Sequence, residues 1–111
     1  MKITNKVKIG GVTFKVEYKR NLTVGTGAYG QLHPSRQKII LDKNLEREMQ
    51  EGSFIHEIIE AINGMYELDL EHWKISVLDA ALHQIIKDNP GIFSENLEER
   101  TGNKDEKEER K

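Results

Sequence analysis

The sequence predicts an α+β fold in which N-terminal β-hairpins form a small antiparallel sheet and two packed helices follow. Three observations predict it. Apolar and polar residues alternate in pairs of short runs up to Leu41, the period of half-buried strands. From Asn44 onward the apolar residues recur at helical spacing instead. Gly10-Gly11 and Pro90-Gly91 punctuate the pattern, one as a tight hairpin turn and the other as a helix stop.

The first strands are Val7 to Ile9 and Val12 to Tyr18, where Val12, Phe14, Val16 and Tyr18 alternate with Thr13, Lys15, Glu17 and Lys19. A two-residue turn at Gly10-Gly11 sets Ile9 opposite Val12 and Val7 opposite Phe14, which places all four on one side of the ribbon. Residues 21–30, with Gly25, Gly27 and Gly30, read as a flexible connection. They do not form a phosphate-cradling loop, because no Lys-Ser/Thr follows. A second hairpin is expected from Gly30-Gln31-Leu32 to Lys38–Asp42, turning through His33-Pro34-Ser35-Arg36.

The first helix is expected from an Asn44 N-cap to Asn63, with Gly64 as its stop and a stripe of Phe54, Ile55, Ile58, Ile59 and Ile62. The second begins near Glu71 after an Asp69 cap and buries Ile75, Leu78, Leu82, Ile85 and Ile86. Residues 1–94 thus make one domain. Residues 95–111 carry seven acidic and five basic residues and one large apolar residue, Leu97, and read as a disordered, solvated tail.

Composition narrows the function classes. The 111 residues are 36% hydrophobic and 32% charged, a soluble globular balance, and no apolar run approaches the roughly 18 residues of a membrane span. The N-terminus lacks the apolar core of a signal peptide. There is no cysteine, which excludes disulfides, thiolate nucleophiles and Cys-ligated zinc and favours the cytoplasm. The net charge is −2, and residues 1–94 are balanced, so a nucleic-acid surface is disfavoured.

The chemistry lies in His56-Glu57-Ile58-Ile59-Glu60. On a helix, His56 and Glu60 project from one face a turn apart and can grip one metal ion together. Glu57 points to a neighbouring direction, where a carboxylate could take a proton from an activated water. A third ligand is expected from the second helix, where His72, Ser76, Asp79 and His83 share a narrow sector. His72 is preferred, giving a two-His, one-Glu zinc site. Asp79, His83 or Ser76 is an alternative ligand or a partner that orients an imidazole. The plain reading of the same residues is a solvated polar face.

Several other residues admit two readings. Tyr66 could stabilise an oxyanion, although packing in the loop is the simpler role. Trp73 reads as a core or interface anchor and His33 as a surface turn residue. Met49 and Leu45 either line a pocket beside His56 or lie under the sheet.

Around the pentad, Ile40-Leu41-Asp42-Lys43-Asn44-Leu45 leads into the helix, and Phe54-Ile55 precedes His56. Downstream come Tyr66-Glu67-Leu68-Asp69-Leu70-Glu71-His72 and Leu82-His83-Gln84-Ile85-Ile86-Lys87-Asp88-Asn89-Pro90. From Lys38 to Pro90 the chain resembles the ImmA/IrrE-like zincin metallopeptidases of phages and mobile elements, and more closely a short prophage-encoded branch in Gram-positive bacteria. The resemblance implies a zincin-like domain, zinc held by His56, Glu57 as general base, and a repressor or other regulator as peptide substrate or protein partner. The chain departs from that pattern at Glu60, where the family usually has histidine, and at Ser76, near where an acidic ligand is expected. The alternative is a catalytically inactive protein of the same fold that acts as an interaction or regulatory module.

Overall fold

The computed structural model describes residues 1–93, so the stretch expected to be a charged tail lies outside the described residues. The first hairpin forms as its pattern requires. Strands β1 (Lys6–Ile9) and β2 (Val12–Lys19) pair antiparallel with Ile9 opposite Val12 and Val7 opposite Phe14. Gly10 and Gly11 both take positive φ, +56° and +84°, the conformation a two-residue turn of matching twist needs. The second hairpin joins β3 (Gly30–His33) to β4 (Lys38–Asp42) through a 3-10 turn over Pro34–Arg36.

The hairpins meet differently from the expected antiparallel sheet. β2 and β4 run parallel, with Val16 beside Ile39 and Tyr18 beside Leu41, so the four strands form a mixed sheet in the order β1-β2-β4-β3. β4 thereby lies inside the sheet, with Ile39 and Leu41 wholly inaccessible, and β3 takes the edge.

The link from β2 to β3 is more ordered than a flexible connection. Leu22–Thr26 forms a short helix, α1, whose Leu22 is buried. The buried carboxylate of Asp42 fixes it, accepting hydrogen bonds from the backbone N–H of Thr23 (2.8 Å) and of Asn44 (2.9 Å). The Thr23 side chain first, and then the backbone bonds from Asn44 and Thr23, hold the Asp42 carboxyl below its ordinary pKa. Asn44 is drawn into the same knot, because its side-chain oxygen accepts the N–H of Asn21 at 2.7 Å. It therefore does not cap the next helix. That helix, α2 (Arg47–Met65), starts after Glu46 and runs one residue past Gly64.

α2 is the middle layer. Phe54 and Ala61 pack on the sheet with Ile9, Phe14, Val16, Ile39 and Leu41. Ile55 and Ile59 pack instead against Ile75 of α3 (His72–Asp88). The expected single stripe is thus divided between two neighbours, and the polar residues beside it, Gln50, Glu51, Ser53 and Glu57, become buried as well. α3 begins after Glu71, while Asp69, expected as its cap, sits in the left-handed region at φ +58°. On α3, Ile75 is buried and Leu82 and Ile86 are partly so, but Leu78 and Ile85 are exposed, against expectation. No helix among the described residues is long and apolar enough to cross a membrane.

Candidate metal centre

His56 and Glu60 stand one turn apart on α2, and His72 is the first residue of α3. One ligand atom from each lies within 4.8 Å of the others. Glu60 Oε2 is 3.3 Å from His56 Nε2 and 3.2 Å from His72 Nδ1. Donors about 2.0–2.1 Å from a tetrahedral zinc stand about 3.3 Å apart, so two edges of the triangle already have the length a metal requires. The two imidazole rings meet edge to face, centroids 5.0 Å apart at 64°, and present nitrogens rather than stacked faces.

Asp79, two turns into α3, completes the arrangement. Its Oδ2 accepts a hydrogen bond from His56 Nδ1 at 2.6 Å. With Nδ1 engaged by Asp79, Nε2 is the nitrogen turned towards Glu60. A carboxylate behind a metal-binding imidazole raises its basicity and fixes the ring plane. The donor set matches zinc in number and type, and two of its three spacings suit a shared ion.

Glu57 lines the same cleft as these donors and lies against the edge strand. It is 7% exposed and lies under Gly30 of β3, where an added Cβ would come within 3.4 Å of Glu57 Cγ. Burial pushes its carboxyl up to about 7, opposed chiefly by the neighbouring imidazole of His56. A carboxyl poised near neutrality is suited to accepting and returning a proton.

These groups open on a cleft of about 970 Å³ between α2, α3 and β3. Met49, Ser76 and His33 also line it, and no Lys or Arg does among the described residues, so the carboxylates of Glu57, Glu60 and Asp79 dominate its field. Ser76 lines the cleft wall. His83 is remote from the donor cluster: its Nε2 donates to Glu51 Oε1 at 2.9 Å, and Glu51 also accepts from Arg47 Nε at 3.2 Å.

His33 is half-buried in the cleft wall and bonds Gln31 at 3.1 Å, so it is not a plain surface residue. Tyr66 sits over the Gly10 turn at the far end of α2, a packing role. Trp73 is exposed and donates to Glu71 Oε1 at 2.8 Å, which excludes it from the core. Leu45 precedes α2 and does not line the cleft, whereas Met49 does. The contribution of β3 was not visible in the sequence, because nothing in Gly30-Gln31-Leu32-His33 signals that the edge strand lies against Glu57. Compared with protein-family models, with curated proteins and with solved structures, the chain matches none.

Proposed function

We propose that this chain is a zinc-dependent, phage-related hydrolase of the metallopeptidase type, acting in the cytoplasm on a peptide bond of a regulatory protein. The observation that carries the reading is the convergence of His56, Glu60 and His72 with Asp79 bracing His56 from behind. His56, Glu60 and His72 would hold the ion in this reading. Bound there, zinc supplies a Lewis acid that acidifies water and polarises a carbonyl.

Glu57 accepts the proton of the attacking water on a carboxylate oxygen and returns it to the leaving nitrogen as the C–O bond forms and the C–N bond breaks. Asp79 keeps the proton on His56 Nδ1 throughout. β3 is an end strand with unpaired backbone groups on its outer side, along which an extended peptide can align beside Glu57. A cleft without Lys or Arg favours a neutral peptide link over a phosphate ester.

A second reading keeps the metal as a staple without catalysis, the chain acting through protein contacts. It is favoured by Glu60 Oε2, which already bridges both imidazoles and, as an anionic ligand, leaves zinc a weaker Lewis acid than a third imidazole would. Metal analysis of the purified full chain, together with cleavage of a peptide mixture, separates the two. The enzyme reading expects one zinc per chain, lost in His56→Ala and kept in Glu57→Gln, with cleavage lost in both variants. Zinc without Glu57-dependent cleavage supports the staple. Absence of zinc, with thermal stability indifferent to chelator, sinks both.

A further inference from the structure

α3 turns one side to α2 through Ile75, Leu82 and Ile86, and His72 and Asp79 of the same side serve the cluster. An apolar stripe runs along an outward flank of the same helix. Val77, Leu78 and Ile85 are exposed at 58, 42 and 43%, with exposed Ala81 among them. Lying on the outermost layer, the stripe keeps a large part of its apolar surface in solvent.

Two charges close the stripe. Lys74 and Asp88 lie seven residues before and seven after Ala81, two helical turns each way. At 100° per residue the three positions fall on one face within about 40°. Lys74, in the first turn, leans over the Trp73 ring at 5.6 Å, and Asp88, at the last position, accepts from Gln84 Nε2 at 2.9 Å. Both are exposed.

A surface with opposite charges at equal distances from a small central residue is complementary to itself. Laid antiparallel about a twofold axis at Ala81, Lys74 of one copy comes opposite Asp88 of the other, and the pair forms twice. Val77 then faces Ile85 across the axis, and Ala81 lets the two backbones approach closely. Exposed Trp73 at one end of α3 is brought to the end of the other copy that carries exposed Ile92 and Phe93. We propose that the chain forms a homodimer through this face of α3.

The segment beyond Phe93 suits the face poorly, with one large apolar residue among twelve charged ones in residues 95–111. The candidate metal cluster lies on the other side of α3 and stays open in such a dimer. The pairing therefore stands independently of the proposed function. Two helices of this length bury on the order of 1,000 Å², the low end of specific interfaces, so a micromolar dimer is expected.

Sedimentation equilibrium of the full chain from about 5 to about 500 μM, a range that brackets such an affinity, tests the proposal. The wild type is expected to pass from monomer to dimer. K74D and D88K should each weaken dimerisation by about tenfold or more, and the double variant should recover most of the loss. Each swap places an acid in the first turn or a base in the last, which favours the helix dipole, so the monomer remains folded, as circular dichroism would verify. A monomer at every concentration overturns the proposal, whether the face stays bare, is covered by the chain beyond Phe93, or serves a different protein. A dimer in which the double variant is no better than the single variants overturns the Lys74–Asp88 register.

Discussion

Glu57 offers the sharpest test of the site's electrostatics, because its effect on stability does not depend on knowing a substrate. Burial raises its carboxyl from an ordinary 4.5 to about 7 in the folded chain. An acid raised in the folded state favours folding below its unfolded value and loses that contribution as pH rises through the folded value. Wild-type protein without metal should therefore lose stability between about pH 4.5 and pH 7, in addition to whatever other groups contribute. At about 1.4 kcal/mol per pH unit the loss is on the order of 3 kcal/mol, an upper bound because the carboxylate borders the cleft.

Glu57→Gln removes that titration while keeping the shape of the side chain. Urea unfolding of both proteins in chelator, at pH 5 and at pH 8, isolates the effect in their difference. The variant should be weaker than wild type by about 1–3 kcal/mol at pH 5, the cost of a buried amide without partners. Relative to wild type it should gain about 2–3 kcal/mol by pH 8. A difference that is the same at both pH values refutes the burial of Glu57 as the source. Saturating zinc should shrink the gain, because a nearby cation favours the ionised carboxylate.

The remaining predictions concern the supports of the site. Asp79→Asn should lower zinc affinity about 10–100-fold while leaving the fold intact, as competition with a chelating dye would measure; unchanged affinity would mean that the Asp79–His56 bond plays no part in binding. Ile75→Ala, at the centre of the contact between α2 and α3, should cost about 2–5 kcal/mol in urea unfolding, since the site is 1% exposed. Gly30→Ala should cost about 1–3 kcal/mol, because its Cβ would stand 3.2 Å from Leu41 Cδ2 and 3.3 Å from the Ile40 carbonyl. A neutral result there would show that β3 shifts freely against α2.

Local patterns were enough to determine the α+β order, the Gly10-Gly11 register and the common face of His56 and Glu60. Each follows from chain geometry over a few residues: a two-residue turn fixes strand register, and a helix repeats every four residues or so. The preference for His72 as third donor likewise rested on a periodicity within α3, and the structure brings it to Glu60 at 3.2 Å. The role of Asp79 was one of several alternatives on that helix face, and only the packing of α3 on α2 selected it over Ser76 and His83.

Tertiary structure decided the rest. β2 and β4 pair in parallel, a contact between segments far apart in the chain that no local window contains, and it leaves Ile39 and Leu41 fully buried on an internal strand. Asn44 was lost as a cap because Asn21, 23 residues away, claimed its oxygen. Leu78 and Ile85 read as core by periodicity and are exposed, since a third-layer helix has only one neighbour to cover it. Most consequential is Glu57: the sequence gives its position on the helix, but the acidity of its carboxyl arises from an edge strand laid over it by the fold.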